Sequence, residues 1–287
     1  MRLVFDLRIA EDWAQKHLSS KVGKPLSQGT GFPAVTRQVI VDANDPLVEE
    51  IKEKVLASER WGESLFCFVN PDYYYNKEEL DRATLLRFRP TVLVKTYGQR
   101  YGTDYDDSNA CPKCGAGRVQ RSPLILDPRY LKKKKKDLLV TTTADEWIVS
   151  ARLANLLREF ASQNCTLAPI QDLQGNTMGE WFQLKVLTMF GSAVPPTRFG
   201  LDYFHPEDTK GEYVCPHHCL SGLNLLSELY VKPQPDEWPA LSITKNRVGR
   251  KDGWIVPAPF LLVTRSFADV LLENKTRGFG LDIVHVV

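Results

Sequence analysis

Two pairs of cysteines lie far apart in the chain and set a strong condition on its fold. Cys111 and Cys114 enclose Pro-Lys and are followed by Gly115, whereas Cys215 and Cys219 enclose Pro-His-His about a hundred residues later. Thiolates two residues apart on a tight turn can reach one metal ion, and a glycine permits that turn. A metal bound by both pairs therefore requires the two distant segments to meet.

The residue types in these pairs favour zinc. We expect the metal ligands to be Cys111, Cys114, Cys215 and Cys219. Four soft thiolates suit zinc and leave no coordination position open for water, so the site would be structural. In an alternative set His218 replaces Cys219, because the resulting Cys-x-x-His has an equally acceptable spacing.

The long separation of the two pairs indicates what the metal does. In a compact zinc module the two halves are about 15–20 residues apart, whereas closing the much longer loop of this chain costs about 4 kcal/mol in a chain-entropy estimate. Metal binding offsets that cost. The structural zinc site is therefore predicted to staple the central part of the chain to the segment before residue 253.

A redox-active Cys-x-x-Cys is the other interpretation of Cys111 and Cys114. In such motifs the nucleophilic cysteine lies at a helix N-terminus that follows a strand, where its thiol is activated. In this chain Gly115, Ala116 and Gly117 follow the motif instead. The sequence therefore favours metal binding over redox chemistry.

The composition is that of an ordinary globular protein. Of the 287 residues, 43% are apolar and 25% are charged, and a chain of this size buries enough surface to be stable without disulfides. The net charge of +2 argues against nucleic acid as a partner.

No apolar run reaches the roughly 18 residues that span a membrane. Asp6 and Arg8 interrupt the region where an export signal would be apolar, so we expect a cytoplasmic protein whose cysteines do not pair.

Residues 1–105 are predicted to form a mixed α/β N-terminal region. Apolar and polar residues alternate from Leu3 to Ile9, which is the period of a strand. Asp45-Pro46 is a typical helix start, and apolar residues follow it at helical spacing. Short apolar or β-branched runs predict further strands at 64–69 and 91–97.

Residues 106–287 contain two segments that resemble each other. The stretches IVSARLANLLRE and LVTRSFADVLLE begin at Ile148 and Leu262, align without a gap, and share a Ser or Thr at the position of a helix cap. A strand-like stretch follows each of them, so strand, helix and strand occur twice, at about 138–170 and 253–287. Two ordinary helices without a common origin are the alternative. The predicted fold class is α+β, with mixed sheets and two similar strand-helix-strand units stapled by zinc.

Each of these segments is predicted to contain one amphipathic helix, from Ser150 to Glu159 and from Thr264 to Glu273. Apolar residues recur in both at three- and four-residue spacing and form a single stripe. The residues expected to be buried are Leu153, Leu156, Leu157, Phe267, Val270 and Leu271.

Residues 132–136 are five consecutive lysines. Like charges in such a block repel one another and resist packing, so we expect an exposed connection between strands. The alternative is a contact with nucleic acid or with an acidic partner. The run lacks the interleaved aromatic residues of a nucleic-acid-binding surface.

The sequence predicts no catalytic and no cofactor-binding residues. It contains no nucleophile elbow, P-loop, dinucleotide-binding fingerprint or zinc-protease motif. The thiolate set is its one strong constellation, and that set lacks the open position that catalytic zinc needs. We therefore expect a protein that is not an enzyme.

Residues from about 111 to 287 resemble bacterial immunity proteins of the polymorphic-toxin systems, in particular the double-CxxCG and related families. The resemblance rests on CPKCG, on YVCPHHCLSGLNLLSELYV, and on the units that begin IVSARLANLL and LVTRSFADVLL. A glycine-histidine pair ends the second metal segment in these families, so the resemblance implies that Cys219 takes the place of the histidine. It leaves the roles of His217 and His218 open.

The resemblance also implies a function. It points to a cytoplasmic protein that binds and neutralises a cognate toxin encoded nearby, without catalysis of its own. Two other hypotheses are a nucleic-acid-associated zinc protein and an enzyme with an unrecognised site. The weak net charge argues against the first of these two.

Overall fold

The chain forms two compact units. The computed structural model describes residues 1–26, 36–58, 66–132, 134–201, 203–205, 208, 210, 214–217, 222–232, 238–249 and 255–287. We call Met1–Leu80 with Gly200–Glu212 the first unit, and Asp81–Phe199 with Tyr213–Val287 the second unit.

The first unit is built on an antiparallel sheet that carries two helices. Its elements are β1 (Arg2–Ala10), α1 (Glu11–His17), β2 (Lys24–Leu26), β3 (Thr36–Asp42), α2 (Pro46–Leu56) and β4 (Phe66–Tyr74), and α3 (Lys77–Arg82) lies at its boundary. The strand order is β2-β3-β1-β4.

The alternation of residues in β1 explains how this sheet builds a core. Phe5, Leu7 and Ile9 lie on one face and are buried, as the two-residue period requires. Helix α2 begins at Asp45, whose side chain accepts a hydrogen bond from the backbone N–H of Leu47. The structure confirms both the strand and the helix that the sequence predicts here.

The second unit combines two helices with short and long strands. Its elements are β5 (Leu85–Pro90), β6 (Leu93–Val94), β7 (Tyr105–Asp106), β8 (Val119–Gln120), β9 (Leu138–Thr141), β10 (Trp147–Ser150), α4 (Ala151–Phe160), β11 (Cys165–Gln171), β12 (Thr177–Val186), β13 (Phe199–Gly200, at its boundary), β14 (Asn224–Leu225), β15 (Leu229–Val231), β16 (Leu241–Val248), β17 (Ala258–Thr264), α5 (Arg265–Glu273) and β18 (Phe279–Val286). Short 3₁₀ helices occur at Gly98–Tyr101 and Pro128–Tyr130. The structure therefore combines helices and sheets, which agrees with the predicted α+β class.

Each of the two helices of this unit crosses over its own mixed sheet. Among the described residues the strand order is β11-β12-β10-β9-β6 in the α4 sheet and β15-β18-β5-β17-β16 in the α5 sheet. Strands β10 and β11 both pair antiparallel with β12 and therefore run parallel to each other. Strands β17 and β18 likewise both pair antiparallel with β5 and therefore run parallel to each other. Thus α4 and α5 each connect two parallel strands that have one antiparallel strand between them.

Both helices begin at the residues that the sequence predicts. The Ser150 side chain accepts a hydrogen bond from the backbone N–H of Leu153, and the Thr264 side chain accepts one from that of Phe267. These are N-caps, which satisfy amides that have no partner within the helix. The strands predicted before and after each helix are present as well.

The buried face of each helix differs from the prediction at one position. The buried residues are Leu153, Ala154 and Leu157 in α4 and Phe267, Ala268 and Leu271 in α5. Leu156 and Val270 are only half-buried, so their predicted burial is wrong. At 3.6 residues per turn, Leu157 lies near the centre of the buried arc of α4 and Leu156 at its margin. The same positions in α5 behave in the same way.

Because Leu157 and Leu271 occupy equivalent positions in α4 and α5, their removal should have similar effects on stability. We expect Leu157→Ala and Leu271→Ala each to lower the free energy of unfolding by about 3 kcal/mol, because both side chains are fully buried and their removal leaves a cavity. Leu272 is 52% exposed, and Leu272→Ala is the control, with a change below about 0.5 kcal/mol. Urea unfolding of the three variants is the measurement. Markedly unequal losses at Leu157 and Leu271 would contradict the structural equivalence.

Two features of the second unit depart from the sequence analysis. Of the strand predicted at 91–97, only Leu93–Val94 is formed. The chain also does not divide at residue 105, because β5 and β6 take part in the two sheets of the second unit. Within the described part of the chain, no helix has the length and apolarity needed to cross a membrane.

Candidate metal centre

A short hairpin presents the Cys-x-x-Cys motif. Strands β7 and β8 pair through Tyr105 with Gln120 and Asp106 with Val119, and the loop between them carries Cys111 and Cys114. The motif therefore occupies the tip of a hairpin, and its position depends on what holds the two strands in place.

Local hydrogen bonds shape the loop around the two thiols. The backbone N–H of Cys111 donates to the Ala116 carbonyl at 2.8 Å, and that of Gly115 donates to the Cys111 carbonyl at 2.7 Å. The backbone N–H of Cys114 points at the Cys111 sulfur at 3.5 Å. Gly115 has a φ of 70°, a left-handed conformation that glycine adopts without steric cost. The glycine after the motif thus closes the turn, as the sequence indicates.

The third thiol comes from the distant segment. The Sγ atoms of Cys111 and Cys215 are 3.9 Å apart, and the sulfurs of Cys111, Cys114 and Cys215 all lie within 4.8 Å of one another. Four sulfurs bound to one tetrahedral zinc would be about 3.8 Å apart, whereas the sulfurs of a disulfide are about 2.05 Å apart. The three thiols are therefore close enough together to bind one metal ion.

The cluster is shielded from solvent. Cys111 is 9% exposed, Cys114 5% and Cys215 0%, and Ala116 packs with them. A bound metal in this position would be largely enclosed by protein on the side of these three residues.

The remaining ligand candidates are Cys219, His218 and His217, and Cys165 is a cysteine outside the candidate set. Cys219 and His218, the candidates for the fourth ligand, lie outside the described residues. His217 is described, is exposed, and is not a member of the thiol cluster. Cys165 is buried at the start of β11, where burial raises the pKa of its thiol to about 11. That pKa keeps Cys165 protonated at neutral pH and makes it a useful control cysteine.

An arginine and an aspartate anchor the hairpin to the turn between β9 and β10. Arg118, four residues after Cys114, places Nη2 3.0 Å from Oδ1 of Asp145 and 3.2 Å from Oδ2. Its guanidinium also stacks over the Tyr105 ring, 4.3 Å from the centroid. Arg118 thus contacts both the first strand of the hairpin and this turn.

A buried glutamate completes this anchor. Glu146 is 1% exposed and accepts hydrogen bonds from the backbone N–H of Gly98, at 3.2 Å to each oxygen, and from the Tyr105 hydroxyl. The Thr141 hydroxyl donates to it at 2.6 Å. Burial raises the pKa of Glu146, and the hydrogen bonds from Thr141 and Tyr105 oppose that rise without cancelling it.

Tyr105 acts as a donor in this cluster throughout the physiological pH range. Burial, and then the charge of Glu146, raise the pKa of its phenol. A phenol that stays protonated has one O–H to donate, and it donates that O–H to Glu146. We call Gly98, Tyr105, Thr141 and Glu146 the Glu146 cluster.

Comparison with known proteins adds no further constraint. A scan against protein-family models and a search of curated proteins each found no match to this chain. The resemblance to immunity proteins therefore stays a prediction.

Proposed function

We propose that Cys111, Cys114 and Cys215, with Cys219 as fourth ligand, hold a structural zinc ion. The observation that supports this proposal is the convergence of three buried thiols from two distant segments at the spacing of metal ligands. Thiolates select zinc over harder cations. The ion would link the β7–β8 hairpin to the segment around residue 215, and so close the long loop between them.

We further propose that the protein is a non-catalytic, cytoplasmic binding protein that neutralises a cognate bacterial toxin encoded nearby. A fourth thiolate would close the coordination sphere and leave no position for a substrate or an activated water. The resemblance of residues 111–287 to immunity proteins supplies the class of partner. A stable complex with a protein partner requires about 800 Å² of surface from this chain.

Co-expression with the neighbouring toxin candidate tests this function. We expect cells that express the toxin to survive when the wild-type protein is present and to die when it carries Cys215→Ser, because the variant loses the zinc staple. Cys165→Ser replaces another buried cysteine that lies outside the cluster, and this variant should still protect. Survival is scored by colony counts, and complex formation by pull-down from the same cells.

The same experiment can contradict the proposal. Equal cell death with and without the wild-type protein, together with no toxin in the pull-down, would exclude toxin neutralisation. Full protection by a Cys215→Ser variant that contains no zinc would retain the neutralising function and exclude the need for the metal.

A further inference from the structure

The surface of the second unit has a cleft lined mainly by cationic side chains. Its volume is about 570 Å³, and four separate segments contribute to it. The cationic lining residues are Lys134, Lys135, Lys136, Arg152, Lys275 and Arg277, and the acidic ones are Asp137 and Glu180. We call this the basic cleft.

Positive charge is concentrated in the basic cleft to a degree that the composition does not reveal. The whole chain has a net charge of +2, yet six cationic and two acidic side chains line this one surface. Within the described residues, Arg152 is the only lining cation in an ion pair, with Asp137. The other five are exposed. Such a concentration attracts an anionic partner and accelerates its association.

Asp137 joins three of the four segments that line the cleft. Its carboxylate accepts hydrogen bonds from the Ser150 hydroxyl at 2.7 Å, from Arg152 Nε at 3.0 Å and from the backbone N–H of Arg277 at 2.7 Å. Arg152 in turn donates to the backbone carbonyl of Lys275 at 3.2 Å. These contacts fix Arg152 and the backbone at Asp137 and Arg277 relative to one another, whereas Lys134, Lys135 and Lys136 precede Asp137 in an exposed connection.

Lys275 reinforces this arrangement by its backbone conformation. It follows the end of α5 with a φ of 53°, and the N–H groups of Lys275 and Thr276 donate to the carbonyls of Leu272 and Leu271. Glycine usually takes this position of a helix end. A lysine in this left-handed conformation has a conformational cost, and it places one more ammonium group at the cleft.

We propose that the basic cleft binds an acidic segment, rich in Asp and Glu, of the protein partner. The inference rests on the proposed function for the existence of a partner and adds its chemistry. Unpaired lysines and an arginine complement carboxylates. Single-stranded nucleic acid needs exposed rings on which bases stack, and the aromatic residue in the lining, Trp181, is buried. The lining thus suits carboxylates better than bases.

Binding of a fluorescein-labelled poly-glutamate peptide, measured by fluorescence anisotropy at about 0.15 M ionic strength, where the Debye length is about 8 Å, tests the inference. We expect the double variant Lys135→Glu/Arg277→Glu to raise the Kd at least about tenfold, since two attractions become repulsions. The matched control is Lys232→Glu/Lys245→Glu, which alters the net charge equally at exposed lysines that do not line the cleft. It should change the Kd less than about twofold because exposed charges outside the cleft are screened.

Three results would overturn the inference. Equal loss of peptide binding in both double variants would show that net charge alone is responsible, and unchanged binding in both would exclude the cleft. Tighter binding of an oligo-deoxythymidine of equal charge, lost only in the Lys135→Glu/Arg277→Glu variant, would assign the cleft to nucleic acid.

The toxin assay separates this inference from the proposed function. If the wild type neutralises the toxin and Lys135→Glu/Arg277→Glu neutralises it with the same affinity, the cleft is not the partner site and toxin neutralisation stands. If the wild type does not bind the toxin, the proposed function fails while the peptide titration still decides whether the cleft recognises carboxylates.

Discussion

Replacing Cys215 by serine is expected to abolish metal binding and to cost the protein about 4 kcal/mol of stability. That value is the free-energy cost of closing a loop of about a hundred residues, which comes from lost chain entropy. In the wild type, metal binding offsets this cost. We expect about one equivalent of zinc in the purified wild-type protein and none in Cys111→Ser or Cys215→Ser. Elemental analysis and thermal unfolding of the same samples are the measurements.

The control for this experiment is a cysteine of similar burial outside the cluster. Cys165→Ser should retain the zinc, because the Cys165 thiol belongs to another part of the second unit and, among the described residues, donates to the Ala161 carbonyl. A strong chelator should lower the melting temperature of the wild type and of Cys165→Ser. Undiminished zinc in both Cys111→Ser and Cys215→Ser would exclude the site. An unchanged melting temperature after verified metal removal would exclude the stapling role.

The identity of the fourth ligand follows from one further pair of variants. If Cys219 is the ligand, Cys219→Ser loses zinc and His218→Ala retains it. The reverse result would select the set with His218. Either outcome keeps the three clustered thiols in place, so this comparison tests the ligand set separately from the existence of the site.

The convergence of the cysteine segments could be predicted from the sequence because the spacing of metal ligands along a chain implies a local backbone geometry. The Cys111-x-x-Cys114 spacing with a following glycine specifies a turn that aims two thiols at one point. If one metal binds both segments, Cys215 must lie close to this turn. Its sulfur lies 3.9 Å from that of Cys111. The helix starts at Ser150 and Thr264 were predictable for the same reason, since capping is local chemistry.

The anchors of the site left no comparable signal. Glu146 accepts from Tyr105, which lies about forty residues earlier in the chain, and nothing in the sequence near either residue marks the pair. Long-range pairing also explains the strands that sequence patterns missed. Strand β5 lies between β17 and β18, whose sequence positions are far from its own, so its role in the α5 sheet depends on partners that no local window contains.

The position of the basic cleft likewise could not be predicted from the sequence. The lysine run was visible, and its exposure agrees with the prediction for those of its residues that are described. Its proximity to Arg152, Lys275 and Arg277 depends on the contacts of Asp137 with segments that are distant in the chain. Net charge gives a sum over the surface, whereas recognition depends on how that charge is distributed.

Removing the Glu146 carboxylate is expected to have the second large effect. Glu146→Ala leaves the buried donors of Gly98, Tyr105 and Thr141 without their acceptor, and each unsatisfied group costs about 1–3 kcal/mol. We expect a total loss of about 4 kcal/mol in the free energy of unfolding. We also expect faster release of zinc to a chelator, since the hairpin that carries Cys111 loses its anchor. Urea unfolding and a chromogenic chelator provide the two measurements.

The pH dependence of this effect has a definite sign. Because burial raises the pKa of Glu146 in the folded protein, the stability that this group contributes is fully present below its unfolded pKa of about 4.3 and is lost as the pH rises through its folded value. The stability difference between the wild type and Glu146→Gln should therefore shrink as the pH increases over that interval. Glu159, which is exposed on α4, supplies the control: Glu159→Gln should leave both the stability and its pH dependence nearly unchanged. A difference that grows with pH would mean that the folded protein favours the charged form of Glu146 and would contradict the burial argument.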